Sequence, residues 1–210
     1  MRQEGAHLIA KQAFDKLLGT AAIVALSPVF AASALAVRIT MGSPVLFRHQ
    51  RAGRGGRPFH VFKFRTMADR RDAQGAPLPD AERLTRLGEF MRSLSIDELP
   101  QLWNVLRGEM SLVGPRPLPV EYVERYSSEQ ARRHDVIAGI TGWAQINGRN
   151  APGWDRKLAF DTWYVDNWSL VLDLKILALT VVRVLQRSGI SQQGHATMPV
   201  FMGATLRAEG

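Results

Sequence analysis

The chain of 210 residues has no cysteine. That absence excludes disulfide staples and thiolate metal sites, and it fits a reducing compartment. Aromatic residues make up only 8% and are not interleaved with basic side chains on a readable platform. No nucleic-acid recognition motif occurs either, so no nucleic-acid partner is expected. Acidic residues are the scarce charge: 19 Asp and Glu stand against 27 Lys and Arg, and the formal net charge is +8. Internal repeats and low-complexity segments are missing, which excludes solenoids and disordered tails. What remains is a chain that is 46% hydrophobic, long enough to bury a core, and basic enough to seek an anionic partner. Acidic lipid and phosphorylated small molecules are the partners left.

One stretch lacks charge of either sign. From Leu17 to Val37 the sequence LLGTAAIVALSPVFAASALAV lies between Lys16 and Arg38. A straight helix of that length reaches about 30 Å, enough to cross a bilayer, and the alternative reading is a buried core helix. Ser27-Pro28 sits near its middle. Proline withdraws a backbone donor and clashes with the preceding turn, so the helix should break there. Arg2, Lys11 and Lys16 precede the run; Arg38, Arg48, Arg51, Arg54, Arg57, Lys63 and Arg65 follow it, with no acidic residue between Arg38 and Met67. Positive flanks on both sides favour a re-entrant helix over a span, and in either case place the rest of the chain in the cytoplasm. A second apolar region, residues 168–187, carries Asp173, Lys175 and Arg183, with Leu170, Leu174, Leu177, Val181 and Leu185 at helical spacing. It is expected to be an amphipathic helix, lying on the core or in the headgroup plane with Trp168 as an anchor.

Elsewhere, Phe59, Val61 and Phe62 indicate a short strand after a Gly/Arg-rich turn. Residues 69–82 form a polar loop, and a helix is expected from Arg83 to Arg92. In SIDELPQLWNVLRG a helix is expected to start at Ile96 or Asp97 and to end at Gly108. MSLVGPRP follows as a short strand and a rigid loop carrying Arg116 between two prolines. Residues 121–135 suggest a polar helix, and residues 139–150 a Gly-punctuated loop. The fold class is therefore α+β and mostly helical. Residues 1–40 form the re-entrant membrane region with its break at Ser27-Pro28. Residues 41–210 form a compact cytoplasmic catalytic domain with a small sheet and amphipathic interfacial helices.

The adjacent acids Asp97 and Glu98 admit two readings. They can simply favour the dipole of a helix start. Alternatively, a carboxylate at that position would stay ionised and serve as nucleophile or metal ligand among Lys63, Arg92 and Arg116, whose charges suit phosphate oxygens. Two carboxylates beside a phosphate anion would call for Mg²⁺.

RSLSIDELPQLWNVLRGEMSLVGPRP resembles the core of the bacterial sugar transferases, the small monotopic polyprenyl-phosphate phosphoglycosyl transferases. Further blocks of that family occur in order: SP in the apolar run, QRAGRGGRPFHVFKFRTM, GITGWAQINGRN and FDTWYVDNWSLVLDLKI. The likeness covers roughly residues 11–195, and the chain resembles the family's minimal form, without extra membrane helices. The resemblance implies a ping-pong transfer of sugar 1-phosphate from a UDP-sugar to polyprenyl (undecaprenyl) phosphate, with UMP released. It implies Asp97 as the nucleophile, and Glu98 as a Mg²⁺ ligand or proton carrier. Lys63, Arg92 and Arg116 would bind phosphate, and Asp173 falls on an acidic position of the later motif. Gln145, Asn147 and Arg149 are candidates for nucleotide or sugar by side-chain type. The implied location is the cytoplasmic face of the bacterial inner membrane. One departure stands out: Ile137-Ala138 replaces the usual basic residue and proline before GITG. The ending SGISQQGHATMPVFMG resembles forms serving acetamido-sugar pathways. Neither the downstream pathway nor the oligomeric state is indicated.

Overall fold

The computed structural model describes residues 3–147, 153–186 and 200–203. It opens with helix α1 (Gly5–Ala25) and helix α2 (Ser27–Met41), which meet at a bend of 64°. The bend falls where the sequence predicts it, and its chemistry is local. Pro28 has no N–H to offer the carbonyl of Val24, and Ser27 Oγ donates to that carbonyl at 2.8 Å. Among the described residues no single helix is long and apolar enough to cross a membrane, but this bent pair passes together.

Strands β1 (Leu46–Ala52) and β2 (Pro58–Phe64) form an antiparallel hairpin, with Phe47 opposite Lys63, His49 opposite Val61 and Arg51 opposite Phe59. The sequence suggests only the second of these strands, because LFRHQRA lacks an apolar alternation. Helices α3 (Asp80–Arg83) and α4 (Arg86–Ser93) replace the single helix expected from Arg83. Leu84 leaves the helix to bridge Met67, and Thr85 caps α4 by accepting from the Gly88 amide. A 3-10 turn (Ile96–Glu98) then leads into α5 (Gln101–Leu106). Strand β3 (Ser111–Val113) pairs in parallel with β4 (Gly139–Thr141).

The expected polar helix over 121–135 is instead a 3-10 turn (Val120–Arg125), α6 (Ser128–Ala131) and a second turn (Arg132–His134). The expected loop at 139–150 begins as β4 and continues as α7 (Trp143–Asn147). Two long helices close the described fold, α8 (Trp154–Asn167) and α9 (Leu170–Leu185).

The main core brings Val61 of β2, Leu102 and Val105 of α5, Val113 of β3, Tyr164 of α8 and Ile176 of α9 together. The first turns of α1 take part in this core through an ionic network. Lys11 is fully buried, with its Nζ 3.0 Å from Asp15 and 2.7 Å from Asp173. Tyr164 Oη donates to Asp173 at 2.7 Å and Trp168 Nε1 donates to it at 3.2 Å. Two expectations are corrected here. Asp173, expected among the substrate-binding residues, is set in the core: it has no exposed surface and its oxygens are taken by Lys11, Tyr164 and Trp168. Trp168 is not an interfacial anchor, being 2% exposed in the core. The buried face of α9 runs through Asp173 and Ile176, so Leu174 and Val181 of the anticipated apolar stripe stay exposed. A charged residue can face inward because α1 delivers its counter-ion.

Candidate active site

The carboxylate pair is built by a strained turn. Ser95 has φ 56°, a left-handed conformation costly for a residue with a Cβ, and it turns the chain from α4 into the 3-10 turn. The sequence places a helix start at this point, and a 3-10 turn does begin at Ile96. The α-helix itself begins only at Gln101, with Pro100 as its N-cap. The expected dipole of a long helix is therefore not what acts on Asp97. α5 has six residues, and the local field comes from side chains.

Glu98 is the fixed member of the pair. Lys63 Nζ donates to its Oε1 at 2.5 Å, Arg116 Nη2 donates to the same oxygen at 2.5 Å, and Arg116 Nη1 donates to Oε2 at 3.2 Å. Burial alone would raise the Glu98 carboxyl, but Arg116 and Lys63 outweigh it and hold the group well below the usual carboxylate range. Asp97 is the opposite case. It is 7% exposed, and no described residue donates a hydrogen bond to it. Burial and the neighbouring Glu98 charge raise its carboxyl, against the pull of Lys63, Arg92 and Arg116. The charges that favour the Asp97 anion are thus those of side chains: Lys63 and Arg116, which also hold Glu98, and Arg92. Such an anion, poorly solvated and without a hydrogen bond from the described residues, is a strong nucleophile or cation ligand.

Each basic neighbour is held by its own element. Lys63 lies on β2, and fully buried Asn104 ties that strand to α5 by accepting from the Phe62 amide at 3.2 Å and donating to the His60 carbonyl at 2.7 Å. Arg92 lies near the end of α4, where Nε donates to Thr66 Oγ1 at 3.2 Å. α4 approaches so closely that a Cβ on Gly88 would lie 2.1 Å from the Thr66 carbonyl oxygen, so only glycine fits. Arg116 follows β3 in a loop locked by backbone contact: a Cβ on Gly114 would lie 2.2 Å from the Ile137 carbonyl oxygen, and one on Gly142 the same distance from that of Gly114. Arg133, 3% exposed, donates to the Arg116 carbonyl at 2.6 Å and is anchored by Asp161 at 2.8 Å and 3.0 Å. Sequence reasoning missed the Arg133–Asp161 pair, which spans 28 positions and leaves no local signal. Ile137-Ala138 is buried, and its backbone pairs inward: the Ile137 amide donates to Gln3 Oε1 at 3.1 Å and the Ala138 carbonyl accepts from the Ser111 amide at 2.8 Å.

The structure brings Lys63, Arg92, Asp97, Glu98 and Arg116 into one electrostatic group and sets Asp173 apart. Gln145 and Asn147 lie on α7. Gln145 Nε2 donates to the Ile140 carbonyl at 2.8 Å while its Oε1 is buried without a partner, and Asn147 Nδ2 donates to the Trp143 carbonyl at 3.1 Å. Arg149 and most of the C-terminal ending lie outside the described residues.

A cation would find limited protein donors. Among the described residues no three His, Cys, Asp or Glu side chains gather as a metal cluster. Asp97 offers an unbonded carboxylate, and Glu98 Oε2 accepts a single hydrogen bond. That donor set suits Mg²⁺, which takes one or two carboxylates and completes its shell with phosphate and water.

Comparison with known proteins follows the same lines. The sequence pattern of the family described as bacterial sugar transferase matches residues 6–187. The uncharacterized sugar transferase EpsL of Bacillus subtilis is 53% identical over 197 residues, covering 94% of this chain and 98% of that protein. The UDP-glucose:undecaprenyl-phosphate glucose-1-phosphate transferase of Xanthomonas campestris pv. campestris is 42% identical over 190 residues, 85% of this chain, which spans 39% of that protein's length. The exopolysaccharide production protein ExoY of Sinorhizobium fredii is 39% identical over 198 residues, covering 86% and 88% of the two chains.

Proposed function

Because the chain belongs to the bacterial sugar transferase family, we propose that this enzyme transfers sugar 1-phosphate from a UDP-sugar to undecaprenyl phosphate. The observation that carries the reading is the unequal carboxylate pair. One acid, Glu98, is neutralised by Lys63 and Arg116, and the other, Asp97, is buried beside it with no hydrogen bond from the described residues.

In this reading Asp97 attacks the phosphorus that bears the sugar. An Asp97 oxygen–phosphorus bond forms, the bond from phosphorus to the bridging oxygen breaks, and UMP leaves with the electron pair. A phosphate oxygen of undecaprenyl phosphate then attacks the same phosphorus, releases Asp97 and yields undecaprenyl diphospho-sugar. Arg116 and Lys63 hold Glu98 and turn their remaining donors toward the phosphate oxygens, while Arg92 supports the Asp97 anion from α4. Mg²⁺ held by Asp97 and Glu98 would neutralise diphosphate charge. The burial of Asp97 excludes water that would otherwise hydrolyse the intermediate.

The bent α1–α2 pair fits a re-entrant element at the cytoplasmic face of the inner membrane. Leu17, Val24, Leu35 and Ile39 expose most of their surface along it, which suits lipid contact. Such placement would bring a lipid-borne acceptor to a site that also receives a soluble nucleotide. The resemblance of the C-terminal ending favours an acetamido-sugar. Glucose, named for the Xanthomonas relative, is the competing donor.

The test incubates washed membranes carrying the full chain with Mg²⁺, undecaprenyl phosphate and a panel of UDP-sugars. UMP release with one sugar, abolished in Asp97→Asn while the protein stays folded and membrane-bound, is the expected result. Release of UDP, or near-normal turnover by Asp97→Asn, overturns the reading.

A further inference from the structure

Arg51 is unaccounted for by the residues above. It lies on the hairpin face that also carries His49 and Lys63, since positions 47, 49 and 51 stand opposite 63, 61 and 59. The side chain is half-buried, and its Nη1 is buried with no hydrogen-bond partner. Among the described residues it is the one cationic side chain with such an orphaned atom. Glu121 and Tyr122 attract Arg51 from the neighbouring turn, but Glu121 forms no ion pair with it within 4 Å among the described residues. Burial, and after it the Arg116 charge, disfavours the Arg51 cation. A half-buried guanidinium with an N–H left unmet is suited to an anion beside it.

The order of charges gives the anion a direction. Lys63, which holds Glu98 beside Asp97, shares the hairpin face of Arg51, with the His49–Val61 pair between their positions. Arg51 therefore stands along this face from Lys63, one cross-strand pair removed, as the next cation of the hairpin face outward from the carboxylate pair. In an in-line displacement the departing group lies on the side of phosphorus opposite the attacking oxygen.

We infer that Arg51 receives the departing nucleoside monophosphate, with Nη1 donating to an oxygen of the phosphate that leaves with the nucleoside. This rests on the sugar-1-phosphate transfer proposed above. As the bond between the sugar-bearing phosphorus and the bridging oxygen breaks, the electron pair stays on that oxygen and the leaving phosphate gains a negative charge. Arg51 meets that charge as it develops and needs no proton to do so. The shared chemistry is a phosphate monoester, so the polyprenyl phosphate acceptor is the other source to be distinguished.

The experiment compares the full-length wild-type chain with Arg51→Ala and Arg51→Lys. It measures UMP binding by calorimetry, UMP product inhibition, kcat/KM for the UDP-sugar and KM for undecaprenyl phosphate, with thermal unfolding to confirm folding. Arg51→Ala is expected to weaken UMP binding and inhibition and to lower kcat/KM for the donor by about 10- to 100-fold, leaving the acceptor KM within about 2-fold. Arg51→Lys should recover part of the loss, as a point charge replaces the fork. A rise in acceptor KM with UMP affinity unchanged overturns the assignment in favour of the acceptor phosphate. UMP affinity and donor kinetics unchanged in a folded Arg51→Ala overturn it outright while wild-type UMP release keeps the reaction standing. A wild-type chain that neither releases nor binds UMP removes both.

Discussion

Replacing Asp173 by alanine takes from buried Lys11 the nearer of its two carboxylates and leaves Asp15 as its one counter-ion among the described residues. Lys11 Nζ sits 2.7 Å from Asp173 and 3.0 Å from Asp15, with neither Lys11 nor Asp173 showing any exposed surface. The substitution also removes the acceptor of the Trp168 indole N–H, while Tyr164 Oη keeps the Val113 carbonyl at 3.1 Å. Breaking a buried, hydrogen-bonded ion pair by deleting one partner costs about 3–5 kcal/mol. That is a large share of the roughly 5–15 kcal/mol that holds a domain folded. For a chain of this size each kcal/mol moves the midpoint by about 2–4 °C, so a fall of roughly 6–20 °C is expected for purified protein in detergent. The double variant Lys11→Met/Asp173→Leu should fall by less than the sum of the two singles, because the Lys11–Asp173 contact is lost once rather than twice, with a coupling of about 1–3 kcal/mol, though it still carries the cost of a buried Asp15 without its lysine. Turnover per folded molecule should stay near wild type in whatever variant remains folded. Asp173→Ala with an unchanged midpoint and a lost UDP-sugar affinity would refute the reasoning and return Asp173 to the substrate site.

Gly142→Ala adds a Cβ 2.2 Å from the Gly114 carbonyl oxygen, backbone against backbone, so the loop carrying Arg116 must shift. An overpacking cost of about 1–3 kcal/mol is expected, together with at least a roughly 10-fold loss of kcat/KM, and normal kinetics would contradict the close approach. His134 Nδ1 donates to the Gly53 carbonyl (2.9 Å), and burial, then the Arg133 charge, pulls its pKa from 6.5 to about 4. The unfolded chain therefore binds the proton first as pH falls, so stability from neutral His134 is complete above pH 6.5 and is lost on acidification toward pH 4. His134→Gln should flatten that part of the midpoint-against-pH curve; two parallel curves would exclude His134 as a source of the acid sensitivity.

The legible parts of this protein were those whose cause is local. Pro28 and the run around it announced the bend, because a missing N–H acts within one turn. Gly108, at φ 75°, ended α5 where a left-handed residue was expected. Strand β3 followed from SLV between turn residues. β1 escaped notice because a strand rich in Arg, His and Gln owes its place to its partner β2 rather than to an apolar period. Asp173 and Trp168 looked functional in an otherwise apolar region, since nothing near them in sequence reveals that Lys11, from the first helix, would pair with Asp173 and that Trp168 would donate to it in the core.

The sequence by itself determined the broken apolar run, the α+β class, the family motif and the adjacency of Asp97 and Glu98, all of which depend on neighbours along the chain. Tertiary structure decided the inequality of the two acids. Lys63 from β2 and Arg116 from the loop after β3 converge on Glu98 and leave Asp97 buried with no hydrogen bond from the described residues, because ion pairing depends on distances that only packing sets.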